Sequence, residues 1–102
     1  MSEEDTGVKH DSEKDDWSLV PVGTLTQIVR VLTIGARKYS PTNWKNVPKA
    51  RSRYYAATMR HVEAWWAGEA KDAETGMSHL AHAAANLLFL MWIDDQPKDV
   101  TK

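Results

Sequence analysis

Three observations predict an all-α fold for this chain. Apolar residues recur at helical spacing in three separate stretches, which is the pattern of amphipathic helices packed on one another. No stretch alternates apolar and polar residues with period two, so no sheet is expected. Pro and Gly stand between the periodic stretches, where helices must stop and turn. Together they describe a compact bundle of three main helices, completed by association between copies.

In the first periodic stretch, Leu25, Ile28, Val29, Leu32 and Ala36 fall on one face, which gives a helix from Pro21 to about Lys38. Pro21 suits a first turn because its missing N–H costs nothing there. Gly35, inside the last turn, either weakens the helix or admits another backbone. Pro41 closes it, and an irregular loop carries Tyr39, Asn43 and Trp44 before Pro48. A second helix runs from about Ala50 to Ala67, with Tyr55, Met59, Val62 and Trp66 in one stripe and Tyr54, Thr58, His61 and Trp65 beside it; Gly68 stops it. A third begins between Asp72 and Gly76, with Asp72 as a candidate N-cap, and continues to about Asp94. Its second half is apolar on every side, which places it at the centre of the domain or in a subunit interface. The expected organisation is a flexible arm over 1–16 (with Trp17 as an anchor), one helical domain over 17–96 and a tail over 97–102.

The totals remove several classes of function. With 13 basic and 14 acidic residues the formal charge is −1, so no global field favours nucleic acid or a membrane surface. The absence of Cys excludes disulfides, thiolate catalysis and cysteine-ligated zinc. The greasy run from Ala83 to Ile93 falls short of the roughly 18 residues of a membrane span. The acidic N-terminus is unlike a targeting peptide, and a soluble cytoplasmic protein is expected. Five Trp in 102 residues mark flat rings used to bury area or to meet a ligand.

Chemistry concentrates between Arg60 and Asn86. Arg60, His61 and Glu63 end one helix, Glu69, Asp72 and Glu74 occupy the turn, and His79 and His82 open the next. His79, His82 and Asn86 fall at i, i+3 and i+7, on one helix face. Asn86 is the single polar residue of its apolar run, and an unpaired buried amide costs about 1–3 kcal/mol. It therefore needs a partner from a neighbouring helix, a second copy or a ligand. Single histidines are commonly satisfied core groups, and acidic residues at a helix start are commonly caps. Three carboxylates exceed what capping requires, and hard oxygen donors so grouped suit Mg²⁺ or Mn²⁺ completed by a phosphate.

The ordered motifs K-x-D-x-x-K, W-x-L-x-P, V-L-T-I-G-A-R-K-Y, N-W, R-Y-Y-A-A-x-x-R-H, A-W-W-A-G-E and D-x-E-T-G-x-S-H-L-A-H-A-A-A-N run from Lys9 to Leu90. This series resembles the phage and prophage dATP/dGTP diphosphohydrolase-like family, itself similar to the all-helical MazG-type nucleotide pyrophosphohydrolases. The resemblance implies an α-helical fold, a divalent metal and cleavage of a deoxynucleoside triphosphate between its α and β phosphates. MazG-type enzymes carry E-x-x-E on one helix and E-x-x-D on the next. Here the corresponding places hold only Glu63 and Glu69, then His79-x-x-His82.

The expected enzyme uses Glu69, Asp72, Glu74 and His79 for Mg²⁺ or Mn²⁺. Lys38, Arg53 and Arg60 neutralise phosphate oxygens, Tyr39 and Trp44 meet the base, and Asn43 and Asn86 read its polar rim. His61 or His82 orients the attacking water. A purine nucleotide is the expected small-molecule partner, with no nucleic-acid polymer and no membrane, in a homodimer or dimer of dimers. The alternative is a phage protein that binds and sequesters a nucleotide or nucleotide-derived signal without cleaving it. A third reading treats the histidines and Asn86 as a polar seam between copies.

Overall fold

The computed structural model describes residues 7–97. Three helices form the bundle: α1 (Thr24–Lys38), α2 (Ala50–Trp66) and α3 (His79–Asp94). Single 3-10 turns stand before α1, at Trp17–Leu19, and between α1 and α2, at Asn43–Asn46. Among the described residues there is no strand, only one isolated bridge between Lys71 and Ser78. No described helix is long and apolar enough to cross a membrane.

The helices form where the periodicity places them, with two displaced starts. Gly23 takes a left-handed φ of 88°, so the chain turns after Pro21 and α1 opens only at Thr24, whose hydroxyl donates to the Pro21 carbonyl at 2.7 Å. The third helix starts later than Asp72. Asp72 Oδ1 accepts from the N–H groups of Glu74 and Thr75, each at 2.9 Å, and so closes a local turn instead of capping a helix. Gly76 then adopts φ 73°, and Ser78 caps α3 by accepting from the N–H groups of Leu80 and Ala81.

Gly68 ends α2 as expected. Its φ is 104°, its N–H donates to the Trp65 carbonyl at 3.0 Å, and that of Glu69 donates to Ala64 at 3.0 Å. These two bonds make the Schellman closure, which satisfies the last carbonyls and sends Glu69 back toward the bundle. Among the described residues Gly35 has no close neighbour: a Cβ built there meets nothing within 4 Å, so no other described backbone approaches it.

Helices α2 and α3 run antiparallel, as the pairs His61 with His79, Tyr54 with Phe89 and Arg51 with Asp94 require. Helix α1 packs chiefly on α3. The core between them is small: Val31, Ala81 and Ala85 are buried, with Ile28, Leu32 and Met77 packed against them. Alanines on α3 allow α1 to come close, and Ala85 is only 2% exposed. On α2 the inward stripe is Tyr54, Thr58 and His61. The stripe of Tyr55, Met59 and Trp66 points outward, with Trp66 77% exposed. Leu80, Leu87 and Met91 of α3 are likewise exposed, and so is much of the apolar surface of that helix.

The proposed N-terminal arm and C-terminal tail fall partly outside the described residues. Within 7–16 every side chain is exposed and no helix forms. Among the described residues Trp17 anchors nothing: it is 75% exposed, in a 3-10 turn capped by Asp16.

Candidate active site

The Schellman closure after α2, the Asp72 turn and the Ser78 cap fix the path from α2 to α3, and they bring three donors together. One ligand atom each from His61, Asp72 and His79 lies within 4.8 Å of the others. His61 comes from α2, Asp72 from the turn and His79 from the first residue of α3. The Nδ1 atoms of His61 and His79 face each other at 2.8 Å. His79 is 4% exposed, and its Nε2 meets Glu69 Oε2 at 2.7 Å. A carboxylate only accepts, so Nε2 carries a proton, and in that tautomer the lone pair of Nδ1 faces His61. His82 stacks on His61 with ring centroids 4.6 Å apart and planes 9° apart. Its Nε2 lies 2.7 Å from Thr75 Oγ1, which also sits 3.4 Å from Asp72 Oδ1.

The electrostatics follow from this crowding. Burial holds the His61 imidazole below its ordinary range, reinforced by His82 and His79, while Asp72 pulls the other way. His82 is lowered too, again chiefly by burial. For Asp72, burial would raise the carboxyl, but the N–H donors of Thr75 and Glu74 and the nearby imidazoles together hold it below the usual range. Neutral imidazoles beside an ionised carboxylate are the donors a divalent cation requires. The chemistry of the donor set therefore fits a metal, with Glu69 placed behind His79.

Beside this cluster opens a cavity of about 1310 Å³ between α1, the α1–α2 loop, α2 and α3. Its walls carry Lys38, Tyr39, Asn43, Trp44, Arg53, Arg60 and Asn86. These are all the residues expected to hold substrate. His61, His82, Asp72 and Glu74 line it as well, whereas Glu69 and His79 do not. The turn carboxylates are thus separated: Glu69 hydrogen-bonds His79, and Glu74 pairs with Lys38 at 2.6 Å. That contact, followed by the Tyr39 hydroxyl, raises the Lys38 ammonium above its usual value. Asn86 is half-buried on the cavity wall and makes no side-chain hydrogen bond among the described residues; a neighbouring helix does not supply its partner.

Some contributors were not anticipated. Thr75 positions His82, and Phe89 and Trp92 build the aromatic end of the cavity. Trp44 stacks on Phe89 at 4.6 Å and meets the edge of Trp92 at 5.0 Å, while Tyr54 donates its hydroxyl to the Trp44 carbonyl at 3.0 Å. The signal for Thr75 was its place between Glu74 and Gly76, in a turn where a hydroxyl competes well for local bonds.

A profile of the family described as "dATP/dGTP diphosphohydrolase, N-terminal" matches residues 4–102. The chain belongs to this family. A protein of Salmonella phage PMBT28 named dATP/dGTP diphosphohydrolase is 38% identical over 88 residues. That match covers 86% of this chain and 30% of the phage protein, so the chain spans about 30% of the length of that relative. No solved structure gives a significant match to this chain.

Proposed function

We propose that this domain binds a purine deoxynucleoside triphosphate in the cavity and, with a divalent cation, hydrolyses it to nucleoside monophosphate and pyrophosphate. The observation that carries the reading is the division of the cavity wall. The metal-donor side chains His61 and Asp72, with cations, occupy one part, and stacked aromatic rings occupy another. Membership of the diphosphohydrolase family supports the same class of substrate.

His61, Asp72 and His79 hold the cation. A bound cation supplies charge that screens the phosphate oxygens and stabilises the transition state. Lys38, Arg53 and Arg60 face the triphosphate, and Lys38 exchanges Glu74 for a phosphate oxygen. Tyr39 and Trp44 flank the base, while Asn43 and Asn86 offer amides to its edge. His82, oriented by Thr75, positions a water and takes its proton. That water adds to the α-phosphorus, the bond from this phosphorus to the oxygen bridging to the β-phosphate breaks, and pyrophosphate leaves with that oxygen. The domain works in the cytoplasm of the cell that makes it, as a homodimer or dimer of dimers whose contacts cover the exposed faces of α2 and α3.

Incubating the protein with each dNTP and Mg²⁺ or Mn²⁺, and resolving mono-, di- and triphosphates with pyrophosphate, tests the reading. The expected result is matched release of monophosphate and pyrophosphate, lost on Asp72→Asn or with EDTA. Binding that survives EDTA, without turnover under any metal, would identify a sequestering protein instead.

A further inference from the structure

We infer that the cation site selects a nitrogen-seeking transition ion, such as Co²⁺ or Zn²⁺, over Mg²⁺, and that Glu69 acts as its positioning residue. The inference adds the class of metal to the reading above, but it rests on the side-chain geometry alone and is tested without nucleotide.

Two of the three converging donors are imidazoles, and the one carboxylate, Asp72, already accepts two backbone N–H groups. Mg²⁺ prefers an octahedron of oxygens and gives up water reluctantly, so this set offers it little. Imidazole suits the transition ions, whose affinity for nitrogen rises across the first row.

The facing Nδ1 atoms make the same point. Two lone pairs cannot approach to 2.8 Å without something positive between them, and in the metal-free chain that is the Nδ1 proton of His61. A cation bound to both nitrogens at about 2.1 Å would set them about 3.0–3.4 Å apart for octahedral or tetrahedral angles. The rings therefore need to part by only a few tenths of an ångström, while His61 moves its proton to Nε2. Glu69 makes this exchange productive: by accepting from His79 Nε2 at 2.7 Å it keeps the Nδ1 lone pair on the cation side and the ring in place. Glu74, held by Lys38, lies outside this donor set.

Calorimetric titration of untagged, EDTA-stripped protein with Co²⁺, Zn²⁺, Mn²⁺ and Mg²⁺ decides the matter, together with the visible spectrum of the Co²⁺ form. The expected result is one site per chain, Co²⁺ and Zn²⁺ bound more tightly than Mg²⁺, and Co²⁺ bands of a nitrogen-ligated ion. Glu69→Gln should weaken Co²⁺ binding by about 10- to 100-fold and shift those bands while the circular dichroism spectrum is retained. His79→Gln should abolish the bands, and Glu74→Gln should leave them unchanged. Mg²⁺ binding as tightly as Co²⁺, or a Co²⁺ spectrum indifferent to Glu69→Gln, would overturn the inference. Tight Co²⁺ binding without any dNTP hydrolysis would uphold it and defeat the enzymatic reading instead.

Discussion

His61 and His79 meet Nδ1 to Nδ1 at 2.8 Å although 18 positions separate them and they stand on different helices. The contact fixes how α2 and α3 come together at the turn, and it ties the chemistry of the site to the stability of the fold.

The first consequence concerns pH. Burial is the main cause that lowers both His61 and His82 in the folded chain. In the unfolded chain both titrate near about 6.5. The unfolded state therefore binds more protons as pH falls, and stability present above about pH 6.5 is lost progressively as pH drops toward the folded values. Urea unfolding of EDTA-treated protein at several pH values between 8 and 5 should show this decline, and His82→Gln should flatten it.

Arg60 lines the cavity and forms no ion pair among the described residues. Arg60→Ala should therefore weaken triphosphate binding by about 10- to 100-fold, the loss of one charge-assisted hydrogen bond, without lowering the melting temperature. Binding measured by calorimetry and a thermal melt of the same sample check both halves.

Two glycines should respond in opposite directions to alanine. Gly35 lies in the interior of α1 with open space at its Cβ position, so Gly35→Ala should stabilise by up to about 1 kcal/mol. Gly68 has equal space but a φ of 104°, so Gly68→Ala should destabilise by about 1–2 kcal/mol through backbone strain alone. Denaturant midpoints at constant m-value separate these effects from changes in compactness.

Light scattering at micromolar concentration should give a multiple of the 11.5 kDa chain. Among the described residues no large side chain is fully buried, while Tyr55, Met59, Trp66, Leu80, Leu87 and Met91 are exposed on α2 and α3. A stable interface of about 800 Å² per partner gives such side chains somewhere to go. Replacing Trp66 and Met91 by Lys should yield the monomer.

Much of the fold was legible because amphipathic spacing is a local property. Leu25, Ile28 and Leu32 announce α1, and Gly68 announces the end of α2, without knowledge of anything else in the chain. The start of α3 was harder, since Asp72 and Ser78 are both good caps and only backbone geometry separates them. Gly76, two residues before Ser78, was the available clue. At the site, the residue types were readable but not their pairing. Glu69, Asp72 and Glu74 look alike as a turn of carboxylates, yet they go to an imidazole, to two backbone amides and to a lysine. Such choices depend on where α1 lies and on which imidazole nitrogen carries the proton, and sequence spacing records neither. The outward aim of the Tyr55 stripe was likewise hidden, because a helix with two apolar faces gives no sign of which one its neighbour takes.

The packing of α1 chiefly on α3 sets an order of assembly. The His61–His79 contact closes over a short length of chain, so the α2–α3 hairpin forms at low entropic cost. Helix α1 leaves the ribosome first, yet Ala81 and Ala85, against which Val31 packs, are synthesised some fifty positions later. Its apolar face must wait in water until the rest of the domain has emerged. His61, Asp72 and His79 thus come together before the cavity has its third wall, and under the proposed function a nascent chain takes up a cation before it holds a nucleotide.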